Sequence, residues 1–147
     1  MSKILLLCCY FSICHTSLFG LLNSLSLSGS PSTFVVISAV AGSNPTSPPN
    51  NTSTSYTIVN VLGGGASIVA SLNTAMPTGI TLKVQLATPG SGTSAGLVTM
   101  TTTNQNLLTG IGIIALSGGN QITYNFTATA QATPVATGTR TLTYTLQ

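Results

Sequence analysis

From residue 56 onward, apolar and polar residues take turns along most of the chain, with a period of two. The cleanest case is Ile80-Thr81-Leu82-Lys83-Val84-Gln85-Leu86, with Lys83 on the polar side. Such a period puts one set of side chains on each face of an extended chain, so it predicts a half-buried β-strand. The C-terminal stretch repeats the pattern twice. Ile122, Tyr124, Phe126, Ala128 and Ala130 alternate with Thr and Asn, and Arg140, Leu142, Tyr144 and Leu146 alternate with Thr. Thr, Tyr, Ile and Phe suit a pleated surface. Pro134 and Gly138 mark a turn between the two runs. The expectation is two antiparallel strands closing an all-β domain.

The other apolar runs are shorter and separated by breakers. Tyr56–Leu62 reads as a strand ended by Gly63, Gly64 and Gly65, with Ala66–Leu72 returning after a hairpin turn or bulge. A phosphate cradle at the three glycines is excluded, because no Lys-Ser/Thr follows them and no helical pattern opens there. Met76–Gly79 is a turn and Thr88–Gly96 a long loop. Leu97–Thr102 is a strand, and Leu107–Leu116 a strand bent at Gly110 and Gly112. Ser117–Asn120 reads as the turn into the C-terminal pair. About seven strands at roughly ten-residue spacing predict an immunoglobulin-like antiparallel β-sandwich over residues 56–147.

The N-terminal part reads differently. Lys3 followed by the apolar run Ile4–Ile13 has the form of a secretory signal peptide, expected to span residues 1–28. Cys14, His15, Thr16 and Ser17 interrupt the run, so a membrane-spanning helix of ~20 residues is not supported. Two small-x-small cleavage sites are present, Ser26-Leu27-Ser28 and Ala39-Val40-Ala41, and the first gives a leader of ordinary length. Residues 29–41 contain a detached strand-like run, Ser32–Ala41. Residues 42–55 are rich in Pro, Ser and Asn and read as a linker. All three cysteines (Cys8, Cys9, Cys14) fall in the leader, so no disulfide frames the body. Lipid attachment at Cys8 or Cys9 would leave an apolar run of only about four residues before it, too short for that signal.

Composition then removes most function classes. The chain has no Asp and no Glu, and its charges are Lys3, Lys83 and Arg140. Only 2% of residues are charged, against about 25% in an ordinary domain. The net charge of +3 and pI near 9.0 therefore reflect missing acids, and no Lys/Arg cluster exists to bind nucleic acid. Hydrophobic residues make up 43% and mean hydropathy is +0.51, the reverse of a disordered chain. Beyond residue 28 there is no His, Cys, Asp or Glu to activate a nucleophile, move a proton or hold zinc or calcium. Lys83, the one amine that could serve a Ser-Lys pair, sits on a solvent face. The chain is thus expected not to be an enzyme and to use no cofactor or metal.

Tyr124, Phe126 and Tyr144 share the apolar parity of their strands and read as core, not as sugar platforms, while Arg140 reads as reaching out from the sandwich edge. Asn50-Asn51-Thr52, Asn51-Thr52-Ser53 and Asn125-Phe126-Thr127 match the glycosylation acceptor pattern. A neutral surface of Thr, Ser, Asn and Gln lacks the charge that keeps proteins apart, which favours assembly.

The short run Ser32-Thr33-Phe34-Val35-Val36-Ile37-Ser38-Ala39-Val40 soon after a signal peptide resembles the donor strand of archaic chaperone–usher pilins, the spore coat U-like family. The ending Ala136-Thr137-Gly138-Thr139-Arg140-Thr141-Leu142-Thr143-Tyr144-Thr145-Leu146 is similar to that family's final strand. The resemblance covers the two ends, about a quarter of the chain. It departs from the family in having no body cysteines and in carrying a long linker after the first strand. It implies a secreted subunit of a cell-surface filament, partnered by copies of itself and by a secretion chaperone, that assembles by β-strand addition. Phe34, Val36, Ser38 and Val40 would form one face of the donor, and Val35, Ile37, Ala39 and Ala41 the other. The interface residues implied are Phe34, Val35, Val36, Ile37 and Val40. Burying four such apolar side chains would contribute roughly 6–12 kcal/mol, comparable with the whole stability of a domain, ~5–15 kcal/mol.

Two other readings stand beside it. One is a monomeric secreted binding or adhesion module whose rim is the 88–96 loop and the triple-glycine turn. The other is a membrane barrel, which the short strands and missing aromatic girdles disfavour.

Overall fold

The computed structural model describes residues 23–30, 43–62, 64–132 and 139–147. Nine strands are found there: β1 (Ser24–Ser28), β2 (Asn51–Asn60), β3 (Ala66–Leu72), β4 (Ile80–Leu86), β5 (Thr93–Ser94), β6 (Val98–Thr99), β7 (Gln105–Ile111), β8 (Ile114–Ala128) and β9 (Leu142–Leu146). They form two antiparallel sheets, ordered β1-β2-β8-β4-β6 and β5-β7-β3-β9. The sheets pack face to face as a β-sandwich, the all-β architecture that the alternation predicts.

The core follows from the two-residue period. In β4, Ile80, Leu82, Val84 and Leu86 point inward, opposite Ala128, Phe126, Tyr124 and Ile122 of β8. These cross-strand apolar pairs are the unit of sheet stability. Tyr56 and Ile58 of β2 extend that layer. Ile68, Ala70 and Leu72 of β3, Leu107, Leu108 and Ile111 of β7, and Leu142 of β9 supply the facing layer. Tyr56, Tyr124 and Phe126 are fully buried, as their parity indicates. Lys83 stays on the outer face of β4, opposite Asn125 and Thr99.

Several expected connections differ, and each difference has a physical cause. β2 and β3 are not a hairpin: β2 pairs with β1 and β8, and β3 with β7 and β9. Positive φ at Gly64 and Gly65 (91° and 77°) carries the chain from one sheet to the other. The Leu107–Leu116 run is likewise two strands in two sheets, with Gly112 and Ile113 crossing between them. The C-terminal runs, expected to pair, lie in opposite sheets, and Tyr144 donates its hydroxyl across the core to the Tyr124 hydroxyl at 3.1 Å.

Gly118 and Gly119 do not turn the chain. β8 runs through them, spending Ser117 to Asn120 against Ile58 to Tyr56 of β2. This is a β-bulge, and Gly119 at φ 70° takes up the extra residue. The Asn120 amide closes the bulge by donating to the carbonyls of Tyr56 (3.3 Å) and Ser117 (3.0 Å).

β2 also begins at Asn51, inside the 42–55 stretch that reads as a linker. Its polar start is recruited by β8, through Asn51 opposite Tyr124 and Thr54 opposite Ile122. Thr54 is buried on the inner face with its hydroxyl unpartnered. Ser24–Ser28, the end of the stretch that reads as leader, forms the edge strand β1, because Leu25 and Leu27 alternate with serines and pack against the core.

Candidate interface at the open side of the sandwich

β1 and β9 are the last strands of their sheets on one side of the molecule, and they approach each other across the gap between the layers. Among the described residues β1 pairs only with β2 and β9 only with β3, so each offers a sheet edge. The edge of β9 can be read from its ladder. Ser67 and Gln147 exchange both backbone hydrogen bonds, each at 2.9 Å. In an antiparallel pair such residues alternate with ones whose backbone groups point the other way. Thr145 and Thr143 therefore bond to β3, while Leu142 and Leu146 turn their N–H and C=O towards the edge.

The side chains between the two edges are apolar and incompletely covered. Leu25 and Leu27 of β1 and Tyr144 and Leu146 of β9 pack against the core yet remain partly exposed. Covering what is left of all four, at most about a third of each, would contribute no more than about 2–4 kcal/mol. No Asp, Glu, Lys or Arg lies in either strand. Natural edges are often blunted by such charges.

Two latches hold β1. At its start, the Asn23 side-chain Oδ1 accepts from the backbone N–H of Val61 (3.0 Å) and Leu62 (3.4 Å). At its end, the Ser53 hydroxyl donates to the Ser30 carbonyl at 2.7 Å. Gly29 beside it has φ 81° and lies so close to the Ser53 carbonyl that a Cβ there would collide with it.

The donor-strand residues Phe34, Val35, Val36, Ile37 and Val40 lie outside the described residues. Leu25, Leu27, Asn23 and Gly29 carried no interface role in the sequence reading. Their signal was the short Ser/Leu alternation, which sits where a leader was expected.

A second region lies at the end of the sandwich where β2 stops. The buried Asn60 amide donates to the carbonyls of Ile111 (3.0 Å) and Gly112 (2.9 Å), and Gly112 N–H donates to the Ser91 hydroxyl at 2.9 Å. These bonds draw the glycine turn after β2 and the 88–96 loop to one end. Leu62, Ile113 and Leu116 are 67%, 72% and 70% exposed there.

The acceptor-type asparagines serve local structure. Asn125 donates to Asn50 at 2.8 Å, and Asn51 accepts from the Ser53 backbone at 3.2 Å. Among the described residues no three His, Cys, Asp or Glu come together, and no helix is long and apolar enough to cross a membrane. No protein-family model, curated protein or solved structure matches the chain.

Proposed function

We propose that this chain is a secreted structural subunit that assembles into an extracellular filament or surface layer by β-strand addition. The observation that carries this reading is a side of the sandwich where, among the described residues, two sheet edges lie without a further strand. Two uncharged edges lie side by side over the partly covered Leu25, Leu27, Tyr144 and Leu146. An extended segment laid there would gain main-chain hydrogen bonds from an edge and cover apolar surface, as strand addition requires. The donor is the N-terminal region of the next subunit, with Phe34, Val35, Val36, Ile37 and Val40 as its apolar residues. A head-to-tail contact of this kind does not close, so it builds filaments. An edge left open before assembly invites wrong pairings, which gives a secretion chaperone its role.

The test compares the full chain with a variant lacking residues 30–41, by light scattering and negative-stain imaging. Filaments from the first, with monomer or amorphous aggregate from the second, are the expected result. Stable monomers from both would defeat the proposal. They would favour a second reading, a monomeric binding module using the end formed by Gly64, Gly65 and the 88–96 loop. The convergence of those loops through Asn60, Gly112 and Ser91 is what supports that alternative.

A further inference from the structure

We infer that β1 is exchanged between subunits as well, so that Ser24–Ser28 of one copy docks on β2 of another. This rests on the strand-addition reading, extends the exchanged segment from Phe34–Val40 back to β1, and requires that Ser24–Ser28 stay on the secreted chain.

β1 is the end strand of its sheet, packed against β2 and, at its margin, β9. Its five residue pairs with β2, from Ser24 opposite Val59 to Ser28 opposite Ser55, run without a register shift. Its inward side chains are only Leu25 and Leu27, and its outward ones are serines. Both latches belong to the same short unit, Asn23 to Ser30. A strand arriving from a second copy would bring its own Asn23, Gly29 and Ser30, and every contact would be remade.

The connection points the same way. Antiparallel neighbours can be joined by two residues, yet residues 29–50 separate β1 from β2. Asn44 already bonds to the body, accepting from Ala130 N–H at 2.9 Å; at ~3.3–3.6 Å per residue the residues before it, 29–43, still reach on the order of 50 Å when extended, beyond the ~30 Å width of a small domain. A long tether lowers the effective concentration of a chain's own strand, so a neighbour's strand competes as subunits are concentrated. Exchanging an identical element costs few contacts.

The test places a disulfide across the β1–β2 pair in the full chain. The variant carries Ser26→Cys and Thr57→Cys, outward-facing Cα partners, with Cys8→Ser, Cys9→Ser and Cys14→Ser so that no other thiol competes. It is oxidised once as a dilute monomer and once after assembly at high concentration, then run on a non-reducing gel. The expected result is a monomer band from the dilute sample and a ladder of covalent multimers from the assembled one. Ser28→Cys with Ser55→Cys tests the same register at the other end of β1, should the first pair oxidise poorly. Assemblies whose disulfides stay within single chains would overturn the β1 assignment and leave strand addition by another segment standing. A secreted protein whose first residue is Gly29 would overturn it too, since β1 would be gone. Failure to assemble at any concentration would remove both this inference and the reading beneath it.

Discussion

Tyr56 is buried in β2, and its hydroxyl donates to the carbonyl of Ala87 just past the end of β4. Phenylalanine there would keep the ring and leave the carbonyl without its donor. We expect Tyr56→Phe to cost about 1–3 kcal/mol in urea unfolding, the usual penalty for an orphaned buried polar group. A variant as stable as the parent would show that water replaces the hydroxyl. Burial also pushes the Tyr56 hydroxyl up from 10.0 to about 12, because the charged form loses its hydration. The folded state then keeps its proton where the unfolded state has lost it. Stability should hold below pH 10 and fall as pH rises towards 12, and Tyr56→Phe should flatten that alkaline fall. Parity alone was enough to place Tyr56, Tyr124 and Phe126 in the core. It could not show that Asn60 and Thr54 also face inward, since a polar residue on an apolar row looks like a break in the pattern.

At the level of elements, Gly29 fixes how β1 ends. Its φ of 81° and its contact with the Ser53 carbonyl leave no room for a side chain. Gly29→Ala should loosen β1 by about 1–3 kcal/mol, the usual cost of such backbone strain. Hydrogen exchange would show faster exchange in β1 and in the β2 residues facing it, with β3 and β7 unchanged; uniform protection would contradict the assignment. The strands of the body were legible because alternation is a local property. Their partners were not. Gly63–Gly65 and Gly118–Gly119 look alike in sequence, yet the first pair of described glycines, Gly64 and Gly65, leads between sheets while Gly119 sits in a bulge inside β8. The polar Asn51–Ser55 stretch becomes strand only because β8 and β1 lie beside it. Of the candidate interface, only the apolar parity of Tyr144 and Leu146 could be read in advance, because an edge is defined by what fails to pair with it.

For the molecule as a whole, the chemistry of the surface sets its response to pH. Residues 23–147 contain no Asp, Glu, His or Cys, so no side chain in them titrates between about pH 4 and 9. Urea midpoints at pH 4, 7 and 9 should therefore coincide, since pH dependence needs a group whose proton affinity changes on folding. A steep loss of structure at pH 4 would mean that a group outside these residues is coupled to the fold.

The strand order has one more consequence. Apart from β1 and β2, no two consecutive strands are partners, and the central strand of the first sheet, β8, joins β2 to β4 from far along the chain. Among the described residues, no tight hairpin joins strands that follow each other in sequence. Chains dominated by distant pairings fold in milliseconds to seconds, because loop closure must be met before contacts reward it. On a ribosome, β2, β3 and β4 all emerge before β8 and β9 exist to receive them. Completion of the first sheet is therefore an event that waits for β8, and until then β2 and β4 each keep one edge unclaimed.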